Sequence, residues 1–222
     1  MSPSPEPALS ALLHHLPGEA GRWVAEAVGR EPRCHYHGPS HLARLWQLFE
    51  AGGWAVDRDA MALAIAFHDF VLNPATARGA DEAASAAWFR AAAGPLRLPP
   101  DQVDAVAAAI LATADHFSPA GSALAAALCD LDLSGLAGSW DGYRADTLAL
   151  RREYPGVTDA GFAAGRAAFL RGVLQHPRLF QHPATPPDWE ARARQNLTRS
   201  LEPGVLDRWL AEGTAPPARP GA

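Results

Sequence analysis

Apolar residues recur at steps of three and four along almost the whole chain, and alternation of period two is absent over any useful length. Leu42, Leu45, Trp46 and Phe49 follow this spacing, as do Met61, Ala64, Ile65 and His68, and Val103, Val106, Ala107, Ile110 and Leu111, the last five expected to be buried. Such spacing lays one stripe along a helix, whereas a half-buried strand needs every second side chain inward. The chain therefore reads as all-α. Proline and glycine mark the predicted stops at Glu31-Pro32-Arg33, Gly52-Gly53, Asn73-Pro74, Gly94-Pro95, Pro99-Pro100, Pro155-Gly156 and Pro183 to Pro187. Ser40 and Asp57 are the predicted N-caps of the helices that follow them. Further helices are expected from Asp81 to Ala93, from Asp101, from Gly121 to Leu136 and from Tyr143 to Tyr154, then a long one marked by Phe162, Phe169, Leu170 and Leu174. No internal repeat stands out.

A chain of 222 residues suits one well-buried core and is short for two, so a single domain over 8–212 is expected. Residues 1–7 and the proline-alanine tail 213–222 are expected to be disordered. The net charge of −5, with no basic cluster, argues against polymeric nucleic acid as a partner. No apolar run approaches the ~18 residues a membrane helix requires. The first residues, Met1-Ser2-Pro3-Ser4-Pro5, have neither the basic nor the hydrophobic part of a secretory signal, so a cytoplasmic location is the expectation. Two cysteines, Cys34 and Cys129, make no disulfide framework and read as reduced thiols, Cys34 lying next to His35. Oligomeric state is not set by the sequence.

The chemistry gathers in four places: His35-Tyr36-His37 with His41, the doublet His68-Asp69, the pair Asp115-His116, and Asp130-Leu131-Asp132. His14, His15, His176 and His182 read as ordinary core or surface residues. An apolar helix that stops in a histidine and an aspartate is different, because an uncompensated buried carboxylate costs several kcal/mol. An arginine, a backbone cap or a divalent metal are the available compensations. Imidazole nitrogen and carboxylate oxygen together suit borderline to hard cations. On the helix carrying Leu124, Leu128 and Leu131, Asp132 lies roughly 70° from the centre of the stripe and Asp130 roughly 130° away, so Asp132 is the one expected to face the core.

The ordered set His37-x3-His41, His68-Asp69 and Asp132 resembles the HD phosphohydrolase superfamily, an all-helical fold named after its His-Asp doublet. The Tyr-His-x3-His segment is also similar to that of cyclic-nucleotide phosphodiesterases. A closer likeness is to the bacterial predicted metal-dependent HD phosphohydrolases, through His35-Tyr36-His37…His41, Phe67-His68-Asp69…Asn73-Pro74, Glu82…Ser85, Asp130-Leu131-Asp132-Leu133…Gly135 and Arg151-x-Glu153-Tyr154. A fainter echo is Ala191-Arg192-x-Arg194-Gln195-Asn196-Leu197. One departure is Gly38-Pro39-Ser40 between the two histidines, stiffer than the usual filler.

The resemblance implies a single-domain helical bundle of the HD type in which His41, His68, Asp69 and Asp132 ligate one divalent ion. Manganese, magnesium, zinc, nickel, cobalt and iron all suit that set, and a second ion stays open. It implies that His37 protonates the leaving group. Asp130 reads either as a residue that orients a ligand histidine or as a plain solvent-facing carboxylate. The expected activity is hydrolysis of a small phosphate ester, a nucleotide among the candidates, by metal-activated water, with Asp69 or Glu82 accepting the water's proton. Glu82 at a helix start also has the plainer reading of a charge favoured by the helix dipole. His116 reads as a second-metal ligand, a phosphate contact or a helix C-cap. Arg144 and Arg151 are candidates for binding a substrate phosphate, with surface ion pairing as the plainer reading. The alternatives are an HD-type di-iron oxygenase, which needs further histidine ligands, and a non-catalytic regulatory protein that binds the metal or a ligand.

Overall fold

The computed structural model describes residues 6–30, 35–73, 79–118 and 121–214; the expectations for Cys34, Pro74 and the outermost terminal residues lie outside these. The helices are α1 (Glu6–His15), α2 (Ala20–Val28), α3 (Pro39–Ala51), α4 (Arg58–Phe67), α5 (Ala80–Leu96), α6 (Pro100–Ala112) and α7 (Ala123–Asp132). A 3-10 turn, Leu133–Ala137, leads into α8 (Trp140–Arg152), α9 (Asp159–Gln175), α10 (Trp189–Ser200) and α11 (Val205–Thr214). No strand occurs among the described residues, so the all-α reading holds.

Most helix starts follow from local chemistry. The Asp57 carboxylate accepts from the Ala60 amide at 2.7 Å and caps α4, as its residue type predicts. Ser122, Ser139 and Thr158 cap α7, α8 and α9 in the same way. Ser40 does not act as a cap: α3 starts one residue earlier, with Gly38 extended at the cap position. Pro39 takes the first helical position, where its fixed φ fits and its missing N–H costs nothing. Likewise α1 takes in Glu6 and Pro7, expected to be loose, with the proline in the first turn. At the other end of an element, α5 runs through Gly94 and Pro95 and stops at Arg97, which adopts the left-handed conformation (φ 56°) usual for glycine.

α4 organises the packing. Every residue from Ala60 to Phe67 is buried, so the helix is enclosed all round rather than on one face. It lies against α1, α3, α5, α6 and α7. α7 is enclosed in the same way from Leu124 to Leu131. The small side chains Ala60, Ala62, Ala64 and Ala66 fit this position, because they let neighbours approach from every side. The buried apolar residues form two clusters, one built by α1–α7 and one by the 3-10 turn with α8–α11. Leu48 on α3 packs against both. Trp46, Trp54, Trp88 and Trp140 are packing residues, whereas Leu111, expected on the buried stripe of α6, is 45% exposed at the edge of that face.

Candidate metal centre

Three separate segments deliver histidine and aspartate to one point. His41 comes from the first turn of α3, His68 closes α4, and Asp132 is the last residue of α7. The Nε2 atoms of His41 and His68 stand 3.2 Å apart, and Asp132 Oδ1 lies 3.1 Å from the first and 3.7 Å from the second. Asp69 Oδ2 completes the group, 3.0 Å from His68 Nε2 and 3.9 Å from His41 Nε2. His41 is 2% exposed and His68 1%. His41, His68 and Asp132 form a buried group that can hold a metal ion.

The orientation of His68 supports that use. Its Nδ1 faces the Ile65 carbonyl at 2.9 Å, so Nδ1–H donates to the backbone and Nε2 is aimed into the cluster. The Nδ1 of His41 faces the Arg44 guanidinium at 3.3 Å. An arginine only donates, so this contact favours the tautomer whose Nε2 carries the proton and gives it to Asp132. Burial works against a charged His68, but the Asp69 charge and hydrogen bonds to Asp132 and Asp69 outweigh it and hold its pKa well above the ordinary histidine value. His41 goes the other way: burial pulls its pKa down. Burial disfavours both carboxylates, yet the His68 charge beside Asp69, and hydrogen bonds to His116, His41 and His68 at Asp132, keep them ionised well below the usual range. A proton on His68 thus sits among two anions where a cation would otherwise balance them.

His116 meets one of its three predicted readings, the helix C-cap, and makes a further contact to Asp132. Its amide donates to the Ala112 carbonyl at 2.9 Å and closes the end of α6, and its Nε2 donates to Asp132 Oδ2 at 2.7 Å. It does so in the left-handed region, φ 64°, which a non-glycine residue adopts only against strain.

Beside the group, His37 is fixed by Glu153, a residue to which the sequence assigns no role. The Glu153 carboxylate, at the end of α8, receives His37 Nδ1 at 2.6 Å and the amides of Tyr36 and His37 at 2.7 and 2.9 Å. Glu153 is 1% exposed. A carboxylate at a helix C-terminus opposes the helix dipole, and that misplacement was the signal to read. Burial lowers the pKa of His37, but the Asp69 charge and the bond to Glu153 raise it above the ordinary value on balance.

A cavity of about 600 Å³ opens from this cluster. His37, Asp69, Glu82, His116 and Asp132 all stand on its wall, Glu82 from the first turn of α5. The two arginines expected to reach a substrate do not. Arg144 pairs with Glu212, and Arg151 is spent on Asp159 Oδ1 and the carbonyls of Tyr154 and Val157, pinning the turn after α8. Their helical faces point them along the surface and across that turn. Arg166 on α9 is the arginine on the cavity wall.

Asp130 also departs from expectation. It is fully buried and orients no ligand histidine: its oxygens accept from the amides of Gln181 and His182, both at 2.8 Å, and from the Thr185 hydroxyl. Because α7 is enclosed on all sides, the face turned away from the cluster is not solvent but the 181–185 loop. Asp132 is the carboxylate in the cluster, as its helical angle predicted. Cys129 is buried, and burial pushes its thiol up, as suits a filler.

No family model, curated protein or solved structure matches this chain.

Proposed function

We propose that the protein is a metal-dependent hydrolase of small phosphate esters, an HD-type phosphohydrolase. The observation that carries this reading is the convergence of His41, His68, Asp69 and Asp132 at the head of a cavity that also presents His37. Two imidazoles and two carboxylates are a donor set for one divalent ion; the mutual distances of His41, His68 and Asp132 fit it, with Asp69 Oδ2 beside them at 3.0 Å from His68 Nε2. A bound ion would supply Lewis acidity toward a phosphoryl oxygen and make a water more acidic.

The residues do the rest. Asp69, ionised and on the cavity wall, is placed to accept the proton of the attacking water, with Glu82 as the second acceptor on that wall. As the water oxygen joins phosphorus, the bond from phosphorus to the leaving oxygen breaks, and that oxygen needs a proton. His37 carries one, held in register by the buried Glu153, and gives it from Nε2.

The test is elemental analysis of the purified protein coupled to phosphate release from nucleotides, sugar phosphates and simple esters. Asp69→Asn and His68→Ala are expected to lose metal and turnover while the helical circular dichroism persists. His37→Ala is expected to keep its metal and lose about 10²–10⁴-fold in rate. Full metal content and activity in Asp69→Asn would refute the reading; iron with oxygen consumption would point to the oxygenase.

A further inference from the structure

Two features of the cavity lie outside the metal cluster and the proton donor. The first is Arg166. Among the described residues of the cavity wall it is the one arginine, and the chain contains no lysine. Its guanidinium lies over the Phe169 ring at 5.3 Å and near the Tyr143 ring at 6.0 Å. Its Nε is buried without a hydrogen-bond partner, and it makes no ion pair with any described residue. Arg44, Arg58, Arg90, Arg144, Arg151, Arg192 and Arg194 each have a carboxylate. Arg166 is also near enough for its charge to act on the Tyr36 and Tyr154 hydroxyls, and the Tyr36 ring is 5.3 Å from that of His41. The Nε is left unsatisfied on the cavity wall, and the planar fork of a guanidinium matches phosphate.

The second feature is an apolar rim. Three large apolar side chains are exposed among the described residues, Leu111, Val157 and Phe169, and two of them stand on this cavity's wall. Phe169 belongs to the pattern that predicted α9, yet it is 46% exposed while Leu170 and Val173 on the same helix are buried. With Leu150, Tyr154 and Phe162 these side chains make the outer wall on the α8–α9 side.

We infer that the cavity takes a phosphate monoester with an apolar alcohol portion, Arg166 gripping the phosphate and Val157, Phe162 and Phe169 covering the apolar body. This assignment rests on the phosphate-ester reading above and narrows it. A guanidinium stacked on Phe169 places the anion seat and the apolar wall side by side, so one molecule engages both.

Calorimetry with inorganic phosphate and phenyl phosphate tests it on the protein as purified, with metal content recorded for every variant. Phenyl phosphate is expected to bind more tightly than phosphate. Arg166→Gln should weaken both by about tenfold or more at unchanged metal content. Arg166→Lys keeps the charge and the packing stem without the fork, and is expected to recover part of that loss; it carries the test should the glutamine variant fail to fold. Phe169→Ser should erase the advantage of phenyl phosphate over phosphate. Phosphate affinity indifferent to Arg166 in both variants would overturn the assignment, as would phenyl phosphate binding no better than phosphate. Arg166-dependent binding in a protein that cleaves no ester would defeat the hydrolase reading and leave this assignment standing. Ester cleavage with binding indifferent to Arg166 would do the reverse.

Discussion

Glu153 shows how much one side chain can settle. Its carboxylate accepts two backbone amides and the imidazole of His37, so it fixes the main chain and the ring together. The raised pKa of His37 comes first from the Asp69 charge and then from Glu153, against burial. A cation on the cluster would screen the Asp69 share and leave the Glu153 share in place. A proton donor works below its pKa, so the rate falls as pH rises through that value. Glu153→Gln retains an oxygen for the two amides but removes the anion, which lowers the pKa of His37. The falling limb of the pH–rate profile is therefore expected to move to lower pH in this variant, with metal content unchanged. A limb that stays in place would remove His37 from the role of acid. His41, His68 and Asp132 were legible as residues because each pairs a costly polar group with a helix end. Glu153 was legible only as a charge on the wrong end of a helix, and its partner lies 116 positions away in the chain. Arg166 carried no signal: an arginine on a helix is ordinary until its neighbours are known.

At the level of elements, periodicity located the helices well and their surroundings poorly. A stripe at steps of three and four identifies a buried face, but it does not say what covers the opposite one. For α4 and α7 the other faces are covered as well, which is why Asp130, read as the outward carboxylate, is fully buried against the 181–185 loop. Boundaries moved where proline chemistry favoured an earlier start, as at Pro39 and Pro7. The end of α6 carries a prediction of its own. His116 holds a left-handed turn and orients Asp132, two tasks that can be separated. Asparagine tolerates the left-handed conformation but is too short to replace the imidazole. His116→Asn is expected to keep the melting temperature and to weaken metal binding by about 10–100-fold, read by competition with a chelating dye. Unchanged metal affinity would show that the bond to Asp132 has no orienting role.

For the whole molecule, folding brings together two anions and two imidazoles whose charges are partly offset by a proton on His68. An entering cation must expel that proton, so metal binding releases protons and weakens as pH falls. Calorimetry in buffers of different ionisation enthalpy is expected to report a positive proton release near neutral pH. The loaded protein should also melt higher, because the ion binds only the folded arrangement. Zero release would mean that metal does not bind at this cluster.

Glu153 also has a consequence for how the machinery can fail. The residues proposed to hold the ion descend from helices of the first apolar cluster, while the tether of His37 sits at the end of α8, beside the second. The proposed cation site and proton donor are thus registered to each other across a seam between two packed clusters, spanned by Glu153 and by the Arg44–Asp146 ion pair. Slackening of that seam is expected to part donor from cation site before either cluster unfolds, so activity should be lost while helical content persists.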